Sequence, residues 1–291
     1  MGALFLLRMP KKSSRRPSDP ERFGALSTSP SCFQKIDGME QYICRFEARC
    51  AQVRAELAEC LEGYRSEGLK RAVLSPFDLV AQNSTQPNRN VLRAKEGKTS
   101  SVPPLPPPHF HYDVPQVFRR NLIASYTPAT RTIDMGQGMD PGVRPMDMLY
   151  AIHEVRHVEQ DNDVRTQWRN NPQAMQNYKN FLNGKGVLDG GKKIIQTNEV
   201  GTYALELRLN HLIFKHRLSL MKGMLADNSA VRQYLQYEQI LDRFPAFRED
   251  TDEIPPAFIS WLRTMMSENG YDIYDYTDNG VEIVYRRLEN R

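Results

Sequence analysis

A helical pattern of apolar positions runs through residues 38–72. Apolar side chains recur there at steps of three and four, with mostly charged residues between them: Tyr42, Ile43, Phe46, Cys50, Val53, Leu57, Leu61 and Tyr64. This spacing places them on one face of an α-helix. The pattern predicts one long amphipathic helix, which packs on the protein body or, less commonly, pairs with a partner helix.

Two short β-prone runs lie in the middle of the chain, at residues 121–128 and 130–136, and a turn joins them. Residues 146–160 then favour a helix that begins near Pro145 or Asp147. Proline suits the first helical position and aspartate suits an N-cap. The sequence therefore predicts a short strand pair directly ahead of a helix.

Helical patterns dominate the rest of the chain to about residue 268. A further helix or two is expected in residues 166–184, and a long helix over residues 197–224 with Thr197 or Asn198 as its cap. Near the C-terminus, Asn279 and Gly280 separate two β-prone runs, which indicates a hairpin. The predicted fold is α+β and mostly helical.

A proline-rich segment marks the clearest boundary in the chain. Residues 83–108 are polar and proline-rich, and five of the six residues from Pro103 to Pro108 are proline. Such a segment is extended and acts as a linker or as a ligand for a proline-reading domain, and we favour the linker. The chain then divides into a disordered basic tail (1–37), an N-terminal helical region (38–82), this linker and a main domain (109–291).

Composition and charge narrow the classes of function. Among 291 residues, 40% are apolar and 25% are charged, as in globular proteins. The net charge of +4 belongs to the first 22 residues and the rest is near neutral, so no nucleic-acid partner is expected. No apolar run approaches the ~18 residues of a membrane span. In the tail the charges follow the short apolar run, the reverse of a secretory signal, so we expect a cytoplasmic protein or one delivered by an N-terminal targeting segment.

Neither the cysteines nor the histidines after the proline segment form a recognisable metal motif. The cysteines all fall in the first fifth of the chain: Cys32, Cys44, Cys50 and Cys60. Their spacing fits neither a zinc ribbon nor a redox pair, and three lie in the helical stretch, so reduced thiols and, weakly, a reducing compartment are expected. His109 and His111 are more typical of a surface loop than of a ligand pair.

The segment "AIHEVRHVEQ", residues 151–160, contains His-Glu-x-x-His. On a helix, His153 and His157 project from one face about 5–6 Å apart, so both imidazoles can bind one Zn²⁺. Glu154 lies on the shoulder of that face, where it reaches a water at the metal more easily than the metal itself. The five-letter match also arises by chance in roughly one such sequence in a hundred, so a third ligand is needed.

Three candidates compete for the third ligand: Asp163, Glu199, and one of the later histidines His211 and His216. Asp163, six residues beyond the second histidine, requires a sharp turn, and the glycine that marks this turn in metzincins is replaced by Gln160. The others are Glu199, near the start of the next long helix, and the later histidines His211 and His216. Steps of ~100° per residue carry both histidines off the helical face of Glu199, which favours the glutamate.

The pair of motifs "HEVRH" and "NEVGTYALE" resembles the gluzincin metallopeptidases over roughly residues 121–210. That family combines HExxH with a downstream helix bearing a glutamate ligand, often in an Asn-Glu pair followed by small residues and a second acidic residue. Its strand pair lines the cleft. The 41 residues between His157 and Glu199 exceed the spacing of the best-known members, so an insertion near residues 166–184 must bulge outward.

The resemblance implies a zincin-like catalytic core that hydrolyses a peptide or protein substrate. Zn²⁺ is then held by His153, His157 and Glu199, which leaves one coordination position open, as in catalytic zinc sites. Glu154 is the general base that takes a proton from the zinc-activated water. Tyr203 and Glu206 share the helical face of Glu199, and Glu206 lies about 10 Å along the axis, so they are expected to support the site without binding the metal.

Two questions stay open in the sequence. The group that stabilises the oxyanion has several candidates, which are Tyr203, Tyr271, Tyr274 and Tyr276. Residues 131–136 are a candidate edge strand that receives substrate by strand addition. The rival hypothesis is a non-catalytic, zincin-like interaction or scaffold protein that uses the helix at 38–72 and the proline-rich segment.

Overall fold

The computed structural model describes these parts of the chain: residues 38–95, 108–114, 123–167, 169–173, 175–176, 193–196, 198–268, 271–277 and 280–282. The predicted basic tail over residues 1–37 lies outside them. So do residues 96–107 of the predicted linker and residues 177–184 of the predicted insertion. The described part is mostly helical with small sheets, which confirms the α+β class.

Seven α-helices have described bounds: α1 (Gly38–Leu61), α2 (Glu67–Lys95), α3 (Pro145–Gln167), α4 (Asn198–Lys215), α5 (Ser219–Leu225), α6 (Asn228–Arg243) and α7 (Pro256–Glu268). Residues 172–173 and 175–176, in the stretch where a further helix or two was expected, are also helical. A short 3₁₀ helix, Pro245–Arg248, follows α6. The strands are β1 (His109–Val114), β2 (Ala124–Thr127), β3 (Thr132–Gly136), β4 (Lys193–Gln196), β5 (Tyr271–Thr277) and β6 (Gly280–Glu282).

The first sheet has the order β1-β3-β2 and lies ahead of α3. β2 and β3 are antiparallel and pair Tyr126 with Ile133, so the predicted strand pair is confirmed. β1 adds to the other side of β3 in parallel, with His109 opposite Thr132. The prediction of a loop at His109 and His111 is therefore wrong, because a partner strand distant in sequence orders this segment.

β3 is the central strand of this sheet, so the prediction of an edge strand at residues 131–136 is wrong. Both of its sides already pair with neighbouring strands, and no backbone group is left for an added strand. In the described part of the sheet, β2 is an edge strand and packs against α3, the helix that carries the His-Glu-x-x-His motif.

The second sheet has β5 in its centre, parallel to β4 and antiparallel to β6. Thr277 pairs with Gly280, so the predicted C-terminal hairpin is confirmed, and Gly280 is the first residue of β6. β4 was not predicted from the sequence, since a four-residue strand carries little pattern of its own.

The helix predicted over residues 38–72 is two helices, because α1 ends at Leu61 and α2 begins at Glu67. A residue far away in the sequence stabilises the break between the two helices: one carboxylate oxygen of Asp250 accepts the Ser66 N–H at 2.9 Å. The Ser66 hydroxyl in turn accepts the Leu69 N–H at 3.0 Å, as N-cap residues do. α2 then passes through Pro87 to Lys95, so residues 83–95 of the predicted linker are helical although proline commonly ends helices.

The helix predicted over residues 197–224 is also divided. α4 starts at Asn198, and Thr197 lies outside the described residues. Its C-terminus is a Schellman motif in which the Leu218 N–H donates to Ile213 O at 2.9 Å and Arg217 adopts a φ of 55°. Glycine usually occupies this left-handed position at the end of a helix, but here it is Arg217, so the sequence did not indicate that α4 ends.

The apolar face of α1 is buried against the body of the protein. Phe46, Val53 and Leu57 are at most 1% exposed and share one core with the buried face of α3. Of the two arrangements predicted for this helix, packing on the protein body is the one found. α3 is therefore buried along much of its length, and its side chains His153, Glu154 and His157 are held in place by the surrounding core.

The cysteines differ in state. Cys44 is disulfide-bonded, so the expectation of reduced thiols is wrong for this residue. Cys50 and Cys60 are free. Among the described residues, no helix has both the length and the apolar character that crossing a membrane requires.

A buried carboxylate fastens the β2–β3 turn to α3. Asp161, 3% exposed, accepts hydrogen bonds from Tyr126 Oη at 2.8 Å, Arg131 Nη1 at 3.1 Å and Arg165 Nε at 2.9 Å. Arg165 also donates to the carbonyl of Pro128 at 3.0 Å. This network fixes the β2–β3 strand pair over α3, because Asp161 and Arg131 are buried and the Arg165 side chain is only 20% exposed.

We expect Asp161→Ala to destabilise the protein by about 3 kcal/mol, since two guanidinium groups lose their buried counter-charge. Urea denaturation measures this free energy of unfolding. Asp242→Ala is the matched control: it removes an exposed carboxylate paired with Arg248 and should cost less than about 1 kcal/mol. Equal losses in the two variants would contradict a structural role for the buried network.

Candidate metal centre

Two histidines of α3 turn their imidazoles toward one point. His153 and His157 are one helical turn apart and are 1% and 6% exposed. Their rings cross nearly at right angles with centroids 4.9 Å apart, and the two Nε2 atoms approach to 3.3 Å. The pairing follows from the four-residue spacing, which stacks side chains on one helical face.

Glu199, in the first turn of α4, closes the cluster from the opposite side. Its carboxylate oxygens lie 3.5 Å from His153 Nε2 and 3.3 Å from His157 Nε2. Two donor atoms bound tetrahedrally to one zinc ion at about 2.0–2.1 Å are about 3.3–3.4 Å apart. The three side chains are thus spaced as ligands of a single small cation, and all three are buried.

A hydrogen bond sets the orientation of the His153 ring. Its Nδ1 lies 2.7 Å from Glu206 Oε1, and a carboxylate accepts, so Nδ1 carries the proton. Nε2 points toward Glu199, so it is the ring nitrogen that would bind a metal in place of its proton. His157 Nδ1 lies 3.2 Å from Gln160 Oε1 and 3.4 Å from the Thr202 hydroxyl.

The buried carboxyl groups around the two histidines favour a positive charge in the cluster. Burial disfavours an imidazolium at His153, but the carboxylates of Glu206 and Glu199 hold the pKa of His153 well above its usual value. Burial likewise disfavours a charged Glu199, and yet the neighbouring His157 and His153 lower the pKa of that carboxyl. With Glu154 there are three buried carboxyls around two imidazoles, so a proton or a metal cation must supply the compensating charge.

Glu154 is fully buried beside the two histidines. Its Oε2 accepts the backbone N–H of Tyr126 in β2 at 2.7 Å, while Oε1 has no hydrogen-bond partner among the described residues. Burial raises the pKa of this carboxyl, against the opposing effect of His153 and His157. A buried oxygen without a partner fits a site that takes up a water or substrate group.

The Oε2 atom of Glu199 is the second such oxygen, with no hydrogen bond from the described part of the chain despite His153 Nε2 at 3.5 Å. Together with the ligand-like spacing, it shows that the cluster fits a divalent metal ion. Imidazole nitrogens with one carboxylate are donors that suit zinc.

Of the candidates for the third ligand, Glu199 lies at the histidine pair and the others lie elsewhere. α3 continues to Gln167 without a turn, and Asp163 lies exposed on it, so Asp163 does not join the histidines. His211 lines a crevice beside Phe247, and His216 follows the end of α4 with its ring 6.3 Å from that of Tyr64.

The two supporting residues predicted on α4 both lie against His153. Glu206 holds Nδ1, and the Tyr203 ring meets the imidazole edge-on with centroids 5.6 Å apart. The other oxyanion candidates, Tyr271, Tyr274 and Tyr276, lie in β5, whose side chains are outside the described residues.

Sequence reasoning missed three residues that hold the cluster. Tyr237 of α6 donates from Oη to Glu206 Oε2 at 2.8 Å, and Thr202 and Gln160 meet His157 Nδ1. Gly201 allows α3 and α4 to approach here, because a Cβ at this position would lie 2.9 Å from Gln160 Nε2. Thr202 and Gln160 each follow a predicted ligand by three residues and were accessible to helical geometry, whereas nothing local points to Tyr237.

Tyr237→Phe removes the donor behind Glu206, and we expect the affinity for zinc to fall about tenfold because the carboxylate orients His153 less firmly. Competition with a chromogenic chelator measures the dissociation constant. Tyr234→Phe on the same helix is the control, since the Tyr234 ring stacks on Phe214 at 3.7 Å and should not affect zinc. Unchanged affinity in Tyr237→Phe would show that this contact does not support the site.

Comparison of the chain with family models, with curated proteins and with solved structures finds no match. The geometry and the donor types of the cluster therefore indicate its chemistry.

Proposed function

We propose that the protein is a zinc-dependent metallopeptidase with a zincin-like core, in which His153, His157 and Glu199 hold the metal and Glu154 is the general base. The observation that carries the proposal is the mutual distance of the three donors, 3.3 to 3.5 Å, inside a buried cluster. Beside it lies a carboxylate oxygen of Glu154 that has no hydrogen-bond partner among the described residues. The HExxH spacing and the Asn-Glu helix add the resemblance to gluzincins.

A zinc ion in this position would supply Lewis-acid activation of a water molecule and of the scissile carbonyl. The three protein ligands leave the fourth position to that chemistry. Glu206 keeps the proton on His153 Nδ1 and so keeps Nε2 available as a ligand.

Glu154 receives the proton of the attacking water on Oε1 and returns it to the leaving amine. Two features prepare it for this role. The Tyr126 N–H anchors Oε2, so the carboxylate cannot rotate away, and burial raises its pKa toward the range where a base can also act as an acid. A positioned general base of this kind contributes roughly 10²–10⁴-fold to a rate.

The peptide bond is the substrate that the resemblance favours, and two histidines with a glutamate do not specify it by themselves. The test is hydrolysis of an unbiased peptide mixture by the purified full chain, read by mass spectrometry, with and without a chelator. We expect cleavage that the chelator abolishes and added zinc restores. Zinc binding without cleavage of any peptide would contradict the peptidase assignment.

The scaffold hypothesis loses one of its supports. The apolar stripe of α1 that would recruit a partner is buried in the core of this chain. If the protein binds zinc stoichiometrically and hydrolyses no peptide in the same assay, the scaffold hypothesis is favoured over the peptidase.

A further inference from the structure

The two histidines of the metal cluster have partners of different charge. His153 Nδ1 faces the carboxylate of Glu206 at 2.7 Å. His157 Nδ1 instead faces two uncharged groups, the side-chain oxygen of Gln160 at 3.2 Å and the hydroxyl of Thr202 at 3.4 Å. A partner on this nitrogen orients a metal-binding imidazole and sets how strongly it donates to the ion. The two histidines are therefore unequal as ligands.

Gln160 is the better placed of the two partners of His157. A histidine that binds a metal through Nε2 is neutral and carries its proton on Nδ1, so Nδ1 needs an acceptor. The amide oxygen of Gln160 can only accept, and it is nearer than the hydroxyl. The Thr202 hydroxyl donates to this same oxygen at 3.4 Å, which favours the orientation of the amide that His157 needs.

The amide of Gln160 lies against α4 at Gly201. A Cβ atom at position 201 would lie 2.9 Å from Gln160 Nε2, closer than such atoms normally approach. Because Nε2 is the far end of a flexible side chain, a methyl group at this position displaces the amide and leaves the two helices in place. Glycine at position 201 thus keeps the Gln160 oxygen beside His157.

An uncharged partner for His157 also limits the negative charge of the cluster. The carboxyls of Glu154, Glu199 and Glu206 are already buried around the two histidines. A carboxylate at position 160 would supply the same acceptor but would add a further negative charge beside them. Like charges in a buried cluster cost free energy, and the amide supplies the acceptor without that cost.

We propose that Gln160 is the positioning residue of His157. Its amide oxygen holds the proton on Nδ1 and so turns Nε2 toward the metal, and Gly201 leaves the space in which the amide lies. The inference rests on the zinc site of the proposed function and is independent of the bond that the protein cleaves. Gln160 and Gly201 are both only half-buried, so changes at these positions leave the core intact.

The zinc affinity of variants at position 160 tests the proposal on the purified full chain, by competition with a chromogenic chelator. Gln160→Met keeps the length of the side chain but removes the acceptor, so zinc should bind about tenfold more weakly. Gln160→Glu keeps an acceptor and should bind zinc at least as tightly as the wild type. Gln239→Met, at an exposed position of α6, is the control and should keep wild-type affinity.

Gly201→Ala tests the same contact from the other helix. We expect zinc affinity to fall about fivefold, because the methyl group displaces the Gln160 amide. Alanine is the better helix former, so the Tm of the zinc-free variant should be no lower than that of the zinc-free wild type. A loss of affinity without a loss of stability distinguishes positioning from a structural role. Gly63→Ala is the control, because an added Cβ there meets nothing within 4 Å beyond its neighbours in the described chain.

The double variant Gln160→Met, Gly201→Ala should bind zinc as Gln160→Met does, since both changes act on one contact. Additive losses overturn the proposal, and so does wild-type affinity in either single variant. It is also overturned if Gln160→Glu loses as much affinity as Gln160→Met, or if Thr202→Val does, which would assign Nδ1 to the hydroxyl. A wild-type chain that binds no zinc overturns both this proposal and the zinc site, whereas the other results leave the zinc site in place.

Discussion

The double variant His153→Ala, His157→Ala is expected to lose the zinc of the wild-type protein, from about one ion per chain to a trace. Two of the three ligands are removed, and a single carboxylate does not hold zinc against solvent, so the affinity should fall at least about a thousandfold. Elemental analysis of the dialysed proteins measures the stoichiometry, and chelator competition measures the dissociation constant.

The matched control is His109→Ala, His111→Ala, which removes the same number of imidazoles from exposed positions in β1. It should keep one zinc per chain. Circular dichroism must accompany the assay, because the first variant also leaves the buried carboxylates of Glu199 and Glu206 without their histidine contacts. A folded double variant that still binds one zinc ion tightly would contradict the proposed ligand set.

The variant Glu154→Gln is expected to bind zinc as the wild type does and to lose most of its peptide-cleaving activity. The amide oxygen can still accept the Tyr126 N–H, so the local structure is preserved, but glutamine cannot take a proton. We expect zinc affinity within about threefold of wild type and a fall in kcat of roughly 10²–10⁴-fold. The measurement is cleavage of the best peptide found in the mixture assay, with zinc content determined on the same samples.

Glu159→Gln makes the same chemical change at another position of α3, where the carboxylate pairs with Arg156 at 2.8 Å. It should keep wild-type activity. If Glu154→Gln cleaves peptides as fast as this control does, another group is the base or the observed cleavage does not come from this site.

The parts of the site that local geometry governs were predictable from the sequence. His153 and His157 face each other because helices repeat every 3.6 residues, and that rule needs no knowledge of the fold. Glu199 was accessible only through its place at the start of the next long helix and the family pattern around it. Its approach to within 3.5 Å of the histidines depends on the packing of α4 against α3, which the sequence does not state.

What the sequence did not reveal depends on contacts between distant segments. Tyr237 lies 31 residues beyond Glu206 and meets it only after α6 folds back on α4. The interruption between α1 and α2 is held by Asp250, which lies 184 residues beyond Ser66. β1 is a strand only because β3 offers it an edge, and its histidines and flanking prolines gave no sign of that pairing. Periodicity reports which face of a segment is buried, but not where its partners lie.

An anomalous-scattering map at the zinc edge, from crystals of the full chain grown with zinc, tests the central claim most directly. We expect one strong peak about 2 Å from His153 Nε2, from His157 Nε2 and from a carboxylate oxygen of Glu199. A map with no peak among these three side chains, or with zinc bound by a different set of residues, would contradict it.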